Sequence, residues 1–311
     1  MSVTRSQLTG GPAYAAYNSI NVQFASDSKV VFDQVWDDVE TSLYGKIDKT
    51  LRDGLVKASG TPLFYDTAQI GTMFPYLSAV IGTVYPGTTD KACAWNSNNG
   101  DVVTLTSALV TRMPDLELGV SGTVLGPMEI TGIIGNSDDP SAASAYFTIA
   151  TGQTYANPAM PGTAVVGRQE FSAAWGSVPG FTSFQAQEKW SISHELQLTP
   201  VTIQGRTRAF RLESYRVMAK CKPLGPTMGQ INAALNMQGA GVAGGLRLST
   251  SAANLVITGS SSMSVTLGNA GLVSAGFIFG GKALRPDELG WISTLGIAAG
   301  GTPSTPALAL A

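Results

Sequence analysis

Residues 190–203, WSISHELQLTPVTI, alternate apolar and polar side chains, and this alternation restricts the possible folds more than any other feature of the chain. Trp190, Ile192, His194, Leu196 and Leu198 fall on one side, with Ser191, Ser193, Glu195, Gln197 and Thr199 on the other. A period of two with one polar side defines a half-buried strand, usually antiparallel. Residues 207–221 predict the return strand. Phe210 and Leu212 set one phase, and Tyr215, Val217, Ala219 and Cys221 set the other. A bulge near Ser214 accounts for the shift. Neither strand offers an obvious nucleophile or a cluster of metal ligands.

Charge is scarce. The 311 residues hold 19 Lys plus Arg and 21 Asp plus Glu, for a net charge of −2. Charged residues are 13% of the chain, against about a quarter in ordinary soluble domains. With 36 Gly and 16 Pro, the composition suits tight turns between strands and a surface covered by neighbouring copies. Phosphate-gripping proteins concentrate Lys and Arg. Here Arg206, Arg208, Arg211 and Arg216 are thinly spread and offset by Glu213. The opening MSVTRSQLTGGP lacks the apolar stretch of a secretory signal. The most apolar short patch, GLVSAGFIFG at 271–280, has the length of a buried strand. Cys93 and Cys221 lie far apart and read as two free thiols of a reducing compartment.

Along the chain, 1–20 reads as an irregular N-terminal arm. In 29–55, Val31, Val35, Val39, Leu43, Ile47, Leu51 and Leu55 recur every four residues. Alone, that spacing reads as a long amphipathic helix, with Asp27 or Ser28 as its cap. The alternative is a strand, a turn at Tyr44-Gly45 and a second strand running to Ala58. A short helix is predicted over 68–77, capped by Asp66 or Thr67, with Ile70, Met73, Phe74 and Leu77 inward. Asn99-Gly100 marks a turn. A strand-rich block follows over 101–134. There Leu116, Leu118, Val120 and Val124 are expected on one face, with Asp115, Glu117, Ser121 and Thr123 opposite. Pro114 and Gly126-Pro127 interrupt the ladder before Met128 and Ile130 resume it. Residues 135–162 read as a loop and 168–181 as a strand and turn. A helix over 224–241 starts at the cap Thr227, buries Met228, Ile231 and Leu235, and stops at Gly239. LRLST, NLVITGS and MSVTLGN, within 246–280, read as short strands. The expected organisation is one β-domain over 21–299, between the arm 1–20 and a flexible tail 300–311.

Candidate chemistry is sparse. His194 is the single histidine and sits on an apolar face, where a hydrogen-bonded structural imidazole is the simplest reading. A catalytic base needs an orienting group and a nucleophile, and the sequence names neither. One His and two distant Cys do not complete a zinc site. The adjacent pairs Asp37-Asp38 and Asp138-Asp139 diverge in any regular backbone. The glycine run ending at Gly245 follows a helix, whereas a phosphate loop precedes one. We therefore expect no catalytic residue, no metal and no cofactor.

Three stretches carry a resemblance: TSLYGKID at 41–48, NGDVVTLTSALVTRMPDLELGVSGTVLGPMEITGI at 99–133, and WSISHELQLTPVTIQGRTRAFRLESYRVMAKCKPLGPTMGQI at 190–231. Their order resembles the tail tube (major tail) proteins of long-tailed, non-contractile bacteriophages and prophages. The resemblance covers most of 15–295 and rests on phrases such as RMPDL, LGPM and AKCKPLGPT. It implies a mainly β fold, a tail-tube-like β-sandwich or partial barrel with long hairpins and a flanking α-helix. It also implies that TSLYGKID joins two strands, which favours strands for 47–60 and leaves 30–43 open. The implied function is a virion structural protein without enzymatic activity, whose hexameric rings stack into a tube that conducts DNA. Implied partners are further copies, the tape-measure protein, the tail terminator and tail-tip proteins, and double-stranded DNA in non-specific passage. The implied location is the phage tail, after the host cytoplasm.

Within such a tube, the polar faces around 115–123 and 191–199 are expected to line the bore. Asp115, Glu117 and Glu195 would repel phosphate there. Other readings are a head–tail joining, tail-terminator or decoration protein, or a glycan-binding β-domain. The last needs a groove with exposed, clustered aromatics, and the candidates Trp175 and Trp190 show no obvious clustering in the sequence.

Overall fold

The computed structural model describes residues 13–25, 27–63, 67–77, 79–86, 91–97, 99–119, 122–134, 146–154, 170–176, 178–237, 253–259, 263–280, 283–294 and 308–310. The chain is mainly β. It opens with the hairpin β1 (Ala13–Tyr17) and β2 (Ile20–Phe24), then the long pair β3 (Lys29–Thr41) and β4 (Gly45–Gly60). Helix α1 (Thr67–Met73) precedes β5 (Val84–Tyr85), β6 (Cys93–Ser97), β7 (Val102–Leu105) and β8 (Ser107–Arg112). Next come β9 (Leu116–Gly119), β10 (Gly122–Leu125), β11 (Met128–Ile133), β12 (Phe147–Ala150) and β13 (Phe171–Trp175). The longest hairpin is β14 (Phe184–Ile203) with β15 (Arg206–Leu224), followed by helix α2 (Met228–Met237). The chain closes with β16 (Ala253–Gly259), β17 (Ser264–Gly280), β18 (Ala283–Thr294) and β19 (Leu308–Leu310).

These strands make three antiparallel sheets. One runs β12-β7-β6-β1-β2 and another β3-β4-β11-β8. The two pack face to face. Phe24 stacks on Trp95 at 4.5 Å within the first sheet, and a Cβ on Gly60 of the second would lie 2.9 Å from Phe24. The buried Tyr17 hydroxyl crosses to donate to the Ala108 carbonyl. In the third sheet, β14-β13-β16-β17-β18-β15 returns to β14 and so forms a nearly closed barrel. Closure is narrow, because β13 meets β14 only at Ser172↔Gln185 and Ala173↔Phe184. Trp175, Phe181, Phe184, Trp190 and Trp291 fill the barrel with ring centroids 5.4–6.1 Å apart. Trp175 Nε1–H donates to the Ala270 carbonyl at 2.9 Å. Helix α2 lies against β17 and β18 through buried Ile231 and Ala234.

The long hairpin matches its sequence pattern. Trp190 and Ile192 are buried, and Tyr215, Val217, Ala219 and Cys221 are buried opposite them. Partner residues jump from Ser214↔Gln197 to Leu212↔Leu198, so Glu213 is the bulged residue. Gln204 and Gly205, both at positive φ, form its two-residue turn. Thr227 caps α2, its Oγ1 accepting the Gln230 N–H while Gln230 Oε1 accepts the Thr227 N–H, a reciprocal capping box.

Several expectations are corrected. The helical option for 30–43 fails, because these residues are β3. Residues four apart share a face in a strand as well as in a helix, so the spacing was blind to the difference. The Val, Phe and Trp content of 30–39 favours the strand. Val124 is exposed, away from Leu116 and Leu118, because β9 and β10 form a hairpin that places it opposite Glu117. Residues 13–20 are not an irregular arm but part of a paired hairpin turning at Asn18-Ser19. Phe147–Ala150, expected in a loop, is a strand. The patch 271–280 is only partly buried, since Leu272 is enclosed while Ile278 is exposed. Leu308–Leu310, expected in a mobile tail, pairs with β17 and buries Leu308. Expectations on 1–12, Asp66, Val120, Asp138-Asp139, Gly239, the glycine run to Gly245 and 246–250 lie outside the described residues.

Candidate assembly surfaces

The feature least explained by folding alone is the β3–β4 ribbon. β4 has a second neighbour, β11, only from Val56 onward. Toward the turn the pair continues through Asp33–Thr41 of β3, about 30 Å at 3.3 Å per residue, without a third strand among the described residues. The base is fixed. Phe32 meets Phe147 at 4.7 Å, Gln34 Nε2–H donates to Tyr146 Oη at 2.7 Å, and the Asp53 carboxylate accepts the Thr207 N–H and O–H at 3.0 and 2.8 Å. A Cβ on Gly54 would fall 2.6 Å from Tyr146 Oη, so any larger residue there would push the Tyr146 ring aside.

Beyond that base, both faces of the ribbon meet solvent. Val35, Trp36, Val39, Leu43, Tyr44 and Ile47 are all exposed, with Trp36 at 49% and Tyr44 at 76%. Large apolar side chains concentrated on a narrow projection mark an interaction surface. Ion pairs Lys46–Asp38, Lys46–Glu40 at 3.8 Å and Arg52–Asp37 at 3.6 Å cross the ribbon between the apolar residues.

A second surface is the polar face of β9, β14, β15 and β18. Glu117 and Ser191 are direct cross-strand partners, as are Glu195 and Arg216. Four ion pairs lie along these strands: Glu117–Lys189 at 2.8 Å, Glu195–Arg216 at 3.1 Å, Lys220–Glu288 at 3.1 Å and Lys222–Asp287 at 3.4 Å. The face is therefore closer to neutral than its acids alone suggest. Asp115 plays a different part from the solvated one expected of it. It precedes β9, and its Oδ1 accepts the His194 backbone N–H at 3.1 Å.

His194 sits on β14, beside the C-terminal end of α1. Its ring lies 5.5 Å from Phe74 and stacks parallel to Tyr215, whose Oη is 3.0 Å from Nδ1. Nε2 is buried without a partner. Burial pulls the imidazole down to about 4, so the ring is neutral at physiological pH. Cys93 and Cys221 are both free and buried; burial pushes the Cys93 thiol up to about 12 and raises Cys221 as well. Trp175 and Trp190 do cluster, but inside the barrel, so neither presents a ring to a glycan.

A cleft of about 210 Å³ opens where β9 and β13 part along β14, lined by Glu170, Phe171, Gln185, Glu188 and Lys189 among others. Among the described residues, no group of three or more His, Cys, Asp or Glu could hold a metal ion. No described helix is long and apolar enough to cross a membrane. Compared with known proteins, the chain matches no family model and shows no significant similarity to any curated protein.

Proposed function

We propose that this protein is a self-assembling virion structural subunit, the building block of a phage tail tube made of stacked hexameric rings. The observation that carries the reading is the projecting part of the β3–β4 ribbon, which exposes apolar side chains on both faces and has no third strand beside it among the described residues. An isolated two-stranded ribbon is marginal in water, and open edges invite further strands. Neighbouring copies satisfy both needs at once. The low charge of the chain and the order of its tail-tube-like phrases support the same reading. In it the partners are further copies, the tape-measure protein, terminator and tip proteins, and DNA in transit.

The β9–β14–β15 face fits a bore that must pass DNA without holding it. Ser191, Ser193 and Gln197 are small or neutral, and the flanking acids and bases cancel in pairs. Glu117→Lys and Glu195→Lys leave Lys189 and Arg216 uncompensated. Both variants are expected to fold and to form tubes, while DNA release slows and becomes salt-sensitive. Negative-stain microscopy of the concentrated protein tests the main reading: rings or tubes are expected, and a uniform monomer at every concentration, with or without tail-tip protein, overturns it. A map of the ring with Glu117 and Glu195 on the outer wall overturns the bore assignment alone.

A further inference from the structure

The two edges of the ribbon carry opposite charge. From Asp33 to Thr41, β3 holds Asp33, Asp37, Asp38 and Glu40 and no base. Over Gly45–Leu55, the stretch paired with it, β4 holds Lys46, Lys49 and Arg52 against Asp48 and Asp53, and Asp53 is tied to Thr207 at the base. The outer edge of β3, and the outer edge of β4 before Val56, pair with no other strand among the described residues. Resting on the self-assembly reading, we propose that copies join head to tail through this ribbon, the β3 edge of one against the β4 edge of the next.

The argument weighs three ways of pairing. Two-fold pairing of β3 with β3 sets four acids against four acids. Pairing β4 with β4 gathers Lys46, Lys49 and Arg52 against themselves. Directly opposed like charges destabilise a strand pair, and opposed unlike charges contribute about 0.2–1 kcal/mol each. Only β3 against β4 matches acid with base, and so extends across copies the alternation that Lys46 and Arg52 already make with Asp38, Glu40 and Asp37 within one ribbon. Ribbons pointing the same way then alternate strand direction, so the new ladder is antiparallel, as within each hairpin. Trp36, Val39 and Ile47 gain neighbours on a continuous sheet. The contact uses two different edges, so it is heterologous and extends until it closes into a ring.

The test mixes isotopically heavy and light copies of the full chain at an assembling concentration and low salt. A zero-length carbodiimide then joins touching carboxylates and amines. Heavy–light cross-links between Asp33, Asp37, Asp38 or Glu40 and Lys46 or Lys49 are expected. A triple variant, D37N/D38N/E40Q, with its fold checked by circular dichroism, is expected to weaken assembly on the order of tenfold. Val39→Cys alone, under mild oxidation, is expected to give no disulfide dimer, since the native thiols are buried. Ready V39C dimers would show two-fold β3 pairing and overturn the proposal. Assemblies whose heavy–light links all avoid the ribbon also overturn it, yet leave the tube reading standing. A chain that never assembles overturns both.

Discussion

The barrel and the β3–β4 ribbon use the same secondary structure to opposite ends. In the barrel, Trp175, Trp190 and Trp291 are fully buried and touch one another through Phe181 and Phe184. In the ribbon, Trp36 and Tyr44 are as apolar in kind but stand in solvent. The barrel strands close on one another and leave aromatic faces nowhere else to go. Beyond its base the ribbon has two strands and, among the described residues, no opposing layer, so its apolar residues stay exposed. Burial within the chain measures folding, whereas apolar exposure on an ordered strand pair measures what folding leaves undone.

The largest break in this comparison should come from the barrel. Trp175→Ala removes a fully buried ring and the hydrogen bond to Ala270. It is expected to cost about 3–5 kcal/mol of stability, read as a lowered urea midpoint.

His194, on β14 beside the C-terminal end of α1, should come next through pH. Its folded value of about 4 lies below the ordinary 6.5, so folding favours the neutral ring. That contribution is complete above pH 6.5 and is lost as pH falls from 6.5 toward 4. It amounts to about 3 kcal/mol. His194→Gln is expected to flatten this part of the stability–pH curve relative to the native chain. Parallel curves for the two proteins would count against the neutral, buried imidazole.

A smaller effect tests the ribbon's root. Asp53→Ala frees the Thr207 N–H and hydroxyl and should cost about 2 kcal/mol. Hydrogen exchange is expected to quicken over 33–54 while the barrel amides stay protected. Uniform quickening would mean that the two regions unfold as one.

The smallest change in stability is expected at the ribbon itself. Trp36→Ser should move the urea midpoint by the equivalent of at most about 0.5 kcal/mol. The same change should sharply reduce assembly. A large loss of stability with unchanged assembly would reverse the roles assigned to the two regions.

Much of the fold was legible in sequence wherever neighbours along the chain decide it. The alternation of 190–198, the bulge near Ser214, the Asn99-Gly100 turn and the cap at Thr227 all rest on residues within a few positions. The β3–β4 pair was half legible. Tyr44-Gly45 marked its turn, but a four-residue spacing suits strand and helix alike. Its exposure was not legible at all, because Val31 and Val56 are the same residue to any local pattern. Only the presence of β11 beside Val56 and the sandwich behind it separates them. Which bases sit beside Glu117 and Glu195 was not legible, for a related reason. Lys189 and Arg216 are remote from those acids in sequence and arrive beside them through strand register.

By itself, then, the sequence determined a strand-rich chain, the long hairpin with its register-shifting bulge, the capped helix α2 and the scarcity of charge. These follow from side-chain periodicity, backbone preference and composition, which act over short distances. The tertiary structure alone decided that Trp175, Trp190 and Trp291 share one core. It also decided that Leu308 closes against β17 and that the apolar residues of β3 remain outside. Each of those outcomes depends on which distant strands become neighbours, and strand pairing is settled by global closure of the sheets.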